Sequence, residues 1–94
     1  MLFMIVEHFR NGDPKPVYER FRQRGRLAPE GLHYINSWVT PDLTRCYQAM
    51  ERGDRALLDQ WIAAWQDIVQ FEIYPVIASY EAAARVPAGE SGNG

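Results

Sequence analysis

The chain has one cysteine, no long apolar run and no large excess of charge of either sign. Cys46 cannot form a disulfide within the chain, so the fold has to be stable without one. The apolar start, residues 1–6, is far shorter than the roughly 20 residues that cross a bilayer. It also lacks the charged leader and cleavage site of a secretory signal. The sequence therefore predicts a cytoplasmic protein with no membrane partner.

Motifs for catalysis and metal binding are also missing. There is no glycine-rich phosphate loop, no Gly-x-Ser-x-Gly elbow and no closely spaced pair of histidines or cysteines. His8, His33 and Cys46 do not have the sequence spacing of a zinc or iron site. We therefore expect no metal and no cofactor, and the sequence leaves open whether the protein is an enzyme.

The apolar residues that are present suffice for one small domain. Hydrophobic residues make up 47% of the 94 positions, enough to build a single core but not two. We expect the domain to span residues 1–86. The polar and glycine-rich residues 87–94 are expected to form a disordered tail.

Arginines are concentrated at positions 20, 22, 24 and 26. Such a cluster can mark a surface that binds phosphate or nucleic acid. On a helix, however, these positions spread around the cylinder, and no aromatic residues are interleaved with them as a stacking platform. A solvated helix surface is therefore favoured, and no nucleic-acid partner is expected.

Hydrophobic periods and turn residues predict the order strand, helix, strand, strand, helix, strand. The predicted strands cover residues 2–9, 32–39, 45–51 and 68–77. The first helix is predicted over residues 14–24, with Asp13 as its cap and Gly25 at its end. The second helix begins after Asp54, and a short third helix covers residues 79–85. This βαββαβ order predicts a ferredoxin-like α+β fold: a four-stranded antiparallel sheet with two helices on one face.

Apolar residues on both faces of the predicted sheet suggest that the protein pairs with a second copy. The first strand alternates Met4 and Val6 with Phe3, Ile5 and Phe9, and the second is expected to place Tyr34 and Trp38 opposite Ile35 and Val39. Because the helices cover only one face, the other would expose a large apolar patch. A homodimer packed sheet to sheet would bury that patch. The alternative is a monomer whose C-terminal segment folds back over the sheet.

A set of polar and aromatic residues on the predicted strands forms the candidate ligand site: His8, Asn36, Trp38, Gln48, Glu72 and Tyr74. On one side of the sheet, they would suit a small hydrophobic or aromatic ligand held between sheet and helices. They would equally suit a surface for homodimerisation or protein interaction, where aromatic residues are enriched. The spacing of Trp61 and Trp65 instead predicts that both lie in the core beneath the second helix.

The chain also resembles a family of short, mainly bacterial proteins known as a domain of unknown function. The resemblance covers residues 1–83 and is carried by these residues and motifs: Pro29-Glu30-Gly31, Trp38, Glu51-Arg52-Gly53-Asp54, Leu58, Trp61, Trp65, Asp67, Phe71-Glu72 and Pro75-Val76. That family is similar to the dimeric α/β-barrel superfamily, so the resemblance implies a ferredoxin-like homodimer. It implies no catalytic residues, because none are established for the family.

Overall fold

The computed structural model of the protein describes residues 1–87. Its strands are β1 (Leu2–Phe9), β2 (His33–Val39), β3 (Arg45–Glu51) and β4 (Val69–Val76). Its helices are α1 (Lys15–Arg24), α2 (Arg55–Ala63) and α3 (Ser79–Arg85). The strands form one antiparallel sheet in the order β2-β3-β1-β4. The predicted α+β class is confirmed, and the strand order is consistent with a ferredoxin-like fold.

The helix ends lie close to their predicted positions and show which side chains set them. The α1 helix begins one residue later than predicted, and the Asp13 carboxylate accepts a hydrogen bond from the backbone N–H of Lys15 at 3.0 Å. At its other end Gly25 has φ of 71°, a left-handed conformation that favours glycine. Asp54 caps α2 by accepting from the Leu57 N–H at 3.0 Å. Residues 88–94 of the predicted tail lie outside the described residues.

The hydrophobic core lies between one face of the sheet and the helices α1 and α2. From β1 it takes Phe3, Ile5 and Phe9, as their alternation predicts. The helices contribute Val17 from α1 and Leu58 and Trp61 from α2, and Trp65 follows α2 into the same cluster. The prediction that Trp61 and Trp65 are core residues is therefore confirmed.

The prediction for β2 was wrong at one position, because a β-bulge interrupts its alternation. The register with β3 shifts between Tyr34 and Asn36, and the Asn36 side chain accepts from the Ser37 N–H at 2.8 Å. The extra residue puts Tyr34 on the core side, whereas Trp38 faces away from the helices. Tyr34 and Trp38 therefore lie on opposite faces.

The α1 helix is fastened to the segment after α2 by a pair of charged residues. Two guanidinium nitrogens of Arg20 donate to the two carboxylate oxygens of Asp67, both at 2.7 Å. Arg20 also donates to the Ala64 carbonyl at 2.9 Å and lies over the Trp65 ring. The hydrogen bonds from Arg20 lower the pKa of Asp67 to about 2. Because α1 forms one side of the cavity described below, this pair helps to hold the cavity in shape.

Replacing Arg20 tests this attachment. We expect Arg20→Ala to lower the free energy of unfolding by about 1 kcal/mol, because it removes hydrogen bonds between partly exposed charged groups. Arg22→Ala, on the exposed side of the same helix, is the matched control and should change it by less than about 0.5 kcal/mol. Urea unfolding at pH 7 measures both values, and equal losses in the two variants would contradict the attachment.

Candidate functional site

Five of the six predicted site residues lie together on the face of the sheet that α1 and α2 leave uncovered, which we call the open face. They are His8, Asn36, Trp38, Glu72 and Tyr74. The His8 Nε2 and Glu72 Oε2 atoms are 3.2 Å apart. The side chains of Trp38 and Tyr74 are large and about half exposed, at 54% and 50%. These five residues form a surface and do not line the space between the sheet and the helices.

Gln48, the sixth predicted residue, points to the opposite side of the sheet. It pairs with Ile5 in the register of β1 and β3, so it faces the core. It is buried, and its amide Nε2 donates to the Met50 sulfur at 3.3 Å. Of the six residues, Gln48 alone therefore points to the space between the sheet and the helices, because strand alternation sends the other five to the open face.

A cavity of about 110 Å³ does lie between the sheet and the helices, and we call it the Glu7 cavity. Its polar lining residues are Glu7, Tyr18, Arg26, Ser37, Cys46 and Gln48. Four aromatic and two valine side chains complete the wall. One of these, Phe21, is 40% exposed, so the cavity reaches the surface beside α1. Its lining is mostly apolar with a few polar groups, as is typical of small-molecule sites.

Glu7 is the most unusual residue of this cavity. It follows Phe3 and Ile5 in the alternation of β1, so its carboxyl group points to the core side, and it is only 8% exposed. No ion pair or side-chain hydrogen bond to this carboxyl is formed within residues 1–87. Burial raises the pKa of Glu7 to about 7, and the positive charge of Arg26 partly opposes this rise. A carboxyl group with such a pKa exchanges its proton readily near neutral pH.

Arg26 is held in place by its backbone and by the stacking of its side chain. The indole N–H groups of Trp61 and Trp65 both donate to its carbonyl oxygen, at 3.1 and 2.9 Å. Its guanidinium carbon lies 3.6 Å from the centre of the Tyr34 ring and 5.2 Å from that of Phe21. Cation–π contacts of this kind fix the guanidinium without using its N–H donors. Those donors remain available to a ligand in the cavity.

Cys46 lines the same cavity but is not suited to be a nucleophile. Burial, together with the nearby Glu7, raises the pKa of its thiol to about 12. Because the reactive form of cysteine is the thiolate, the thiol is inert at neutral pH. Cys46 therefore acts as a small packed residue, in line with the sequence interpretation.

The described residues offer no site for a metal and no membrane span. Between residues 1 and 87, no three histidine, cysteine or acidic side chains are arranged to hold an ion. Within the same range, no helix has the length and apolar character to cross a bilayer.

Sequence reasoning missed Glu7 and Arg26, although the signal for Glu7 was present. In the alternation of β1, Glu7 shares its face with Phe3, Ile5 and Phe9, and a carboxyl group among core residues is a recognised mark of a functional site. Arg26 had no comparable signal. It was counted with the helix arginines, and only the fold brings its guanidinium to Tyr34 and the cavity.

The sequence model of one protein family matches residues 1–90 of the chain. The chain belongs to the DUF3303 family, a domain of unknown function. Comparison with curated proteins gives no match, and neither does comparison with solved structures. Membership of the DUF3303 family confirms the resemblance seen in the sequence, and it assigns no activity. We therefore infer a function from the geometry of the Glu7 cavity.

The burial of Glu7 predicts an unusual dependence of stability on pH. The folded protein keeps the Glu7 proton up to about pH 7, whereas the unfolded chain releases it near pH 4.5. Ionisation therefore destabilises the folded state increasingly as the pH rises from 4.5 to 7. Glu7→Gln removes this penalty, so its stability relative to the wild type should increase by about 2 kcal/mol between pH 5 and pH 8.

Urea unfolding at both pH values measures this change. Glu19→Gln, which removes an exposed carboxylate from α1, controls for the lost charge. A stability difference between Glu7→Gln and wild type that stays constant from pH 5 to pH 8 would contradict the burial of an ionisable Glu7.

Proposed function

We propose that this protein binds a small, mostly apolar molecule in the Glu7 cavity. The observation that carries the proposal is the presence of two groups of opposite charge type, Glu7 and Arg26, in the lining of one cavity without an ion pair between them. A carboxyl group that is buried near a cation normally pairs with it, because an unpaired charge away from water is costly. A ligand lying between the two groups would supply the missing partners.

The size of the cavity limits the ligand to a few heavy atoms. At about 110 Å³ it is smaller than the roughly 300 Å³ of typical drug-sized sites. It is similar to the cavity of about 150 Å³ that accepts benzene in another protein. A single substituted ring is therefore the expected size.

The lining residues define the polar groups that such a ligand would carry. The guanidinium of Arg26 has only donors, so it selects a carbonyl or carboxylate oxygen. The Glu7 carboxylate accepts, so it selects a hydroxyl or another group with an acidic hydrogen. The phenol of Tyr18, from α1, and the amide of Gln48, from β3, add further polar groups to the lining. A small ring with an acceptor at one position and a donor at another fits this pattern.

Hydroxybenzoates provide a direct test, because they combine a carboxylate with a phenolic hydroxyl on one ring. We expect at least one of the three positional isomers to bind about tenfold more tightly than benzoate or phenol, since each charged hydrogen bond contributes roughly 1.5 kcal/mol. Titrations followed by the amide ¹H–¹⁵N spectrum measure the affinities and locate the site.

Two variants show whether binding uses the cavity. Val39→Phe places a ring in the cavity and should abolish the binding. Gln60→Ala, at an exposed position of α2, should leave it unchanged. If no hydroxybenzoate binds, or if Val39→Phe binds as the wild type does, the proposal fails.

We also propose that a second copy of the chain covers the open face. This is supported by the exposed rings of Trp38 and Tyr74, which lie on the two outer strands of this face, and by the partly exposed Met4 between them. The open face also carries both signs of charge, for example Arg45 and Glu72. Two such faces related by a twofold axis can therefore match each other.

The α3 helix supports the same proposal. It has only seven residues and no buried side chain, and its Tyr80 is 76% exposed. An isolated helix of this length is unstable in water, so it needs a surface to pack against. The partner subunit in a sheet-to-sheet dimer would provide that surface.

Sedimentation equilibrium tests the dimer at micromolar concentration. We expect a particle of twice the chain mass, and Trp38→Glu should weaken association at least 30-fold because it places a charge in the interface. Gln60→Glu puts the same charge on exposed α2 and should associate normally. A wild-type protein that remains a monomer at this concentration would contradict the proposal.

A further inference from the structure

The two unpaired groups of the Glu7 cavity are a base, the Glu7 carboxylate, and a cation, the Arg26 guanidinium. Glu7 lies on β1, in the middle of the sheet, whereas Arg26 lies in the loop after α1. Their side chains therefore approach a ligand from different elements. Neither group is neutralised by a partner among residues 1–87. Both groups are positioned by parts of the fold that do not depend on a ligand.

A base and a cation facing one small apolar space suit the removal of a proton next to a carbonyl group. The carbon–hydrogen bond beside a carbonyl group is only weakly acidic, and it breaks when the electron pair left behind can move onto the carbonyl oxygen. A fixed cation beside that oxygen stabilises the resulting enolate, and it does so most strongly where water is excluded. The cavity provides the base and the cation together in a largely apolar lining.

We infer that the Glu7 cavity catalyses proton transfer in a small carbonyl compound, with Glu7 as the base and Arg26 binding the carbonyl oxygen. The inference rests on the proposed function, since the compound has to bind in the cavity first. The substrate class is a small ring or chain in which the carbon that carries the removable hydrogen lies between a carbonyl group and a carbon–carbon double bond. The reaction class is isomerisation.

The step balances without any oxidant, reductant or added cofactor. The Glu7 carboxylate takes a proton from the carbon beside the carbonyl, and the electron pair of that bond forms an enolate whose oxygen accepts hydrogen bonds from Arg26. Because the neighbouring double bond extends this enolate to a dienolate, the same carboxyl group then returns the proton to the far carbon of that double bond, and the double bond moves next to the carbonyl group. Glu7 ends as a carboxylate, and the product is an isomer of the substrate.

The environment of Glu7 suits this role. A general base works best when its pKa lies near the working pH, because a useful fraction is then ionised and the ionised form is still basic. Burial places the pKa of Glu7 at about 7. Cys46 faces the same cavity and stays protonated, so it does not compete as a base. Glu7 and Tyr18 are the remaining titratable groups of the lining besides Arg26.

Cyclohex-3-enone is a suitable probe, because its isomerisation to cyclohex-2-enone moves one proton and produces an ultraviolet absorption. The six-membered ring also matches the size of the cavity. We expect the wild-type protein to accelerate this reaction, with a rate that rises with pH through a midpoint of about 7. Glu7→Gln should lower the rate at least 100-fold, because a positioned base contributes a factor of this order. Glu7→Asp should restore part of the rate, and Glu19→Gln should not change it.

Binding of cyclohexanone, which cannot isomerise in this way, separates the inference from the proposed function. If no hydroxybenzoate binds, the proposed function itself fails. If a hydroxybenzoate binds but cyclohexanone does not, binding stands and proton transfer is overturned. If cyclohexanone binds but the wild type isomerises the enone no faster than buffer, binding stands and proton transfer is overturned. A Glu7→Gln variant as fast as wild type would also overturn it. Retained cyclohexanone binding with loss of isomerisation in Glu7→Gln supports the inference.

Discussion

The alternation of side chains along β1 is the constraint on which the rest of the structure depends. This strand lies between β3 and β4, so both of its faces contribute to the two surfaces of the sheet. Phe3, Ile5 and Phe9 point to the helices and build the core, whereas Met4 and Val6 point to the open face. The same alternation places the Glu7 side chain on the core side of the sheet. A shift of one residue in this strand would exchange the two surfaces and expose the carboxyl group.

A buried carboxyl group without a partner is costly for a small domain, and its surroundings explain how it persists. The rise of its pKa lets Glu7 keep its proton near neutral pH, which reduces the cost of burial. Arg26 does not move in to form an ion pair. Its carbonyl is held by two indole N–H groups and its guanidinium by the Tyr34 ring. The fold thus keeps the Glu7 carboxyl group and the Arg26 guanidinium apart within the lining of a cavity that is large enough for a small ligand. The proposed binding and the proposed proton transfer both depend on this separation.

The order of helices and strands was predictable from the sequence because it depends on local signals. Alternating and helical periods, Asp54 as a cap and Gly25 as a helix end each act within a few residues. The face of Tyr34 was predicted wrongly, because the bulge in β2 is accompanied by a contact of the Asn36 side chain that no period reveals. The cavity could not be predicted from the sequence, because its lining is brought together by contacts between distant segments of the chain. Arg26 reaches it only after Trp61 and Trp65, more than thirty positions away, bind its backbone.

The candidate site, too, was predicted only in part from the sequence. Five of the predicted site residues do meet on one face, as alternation within each strand allowed. That face is the open one, which lies on the other side of the sheet from the Glu7 cavity. Gln48 alone pointed toward the cavity. The decisive residue, Glu7, could have been identified by asking which charged residue shares its parity with the core positions of β1.

The most direct test of this account is the pKa of the Glu7 carboxyl group itself. It can be measured from the side-chain carboxyl ¹³C shift as a function of pH, with Glu7→Gln used to assign the resonance. The account predicts a midpoint of about 7. A midpoint near the ordinary value of 4.5 would mean that water reaches the carboxyl group. That result would contradict both the buried site and the chemistry derived from it.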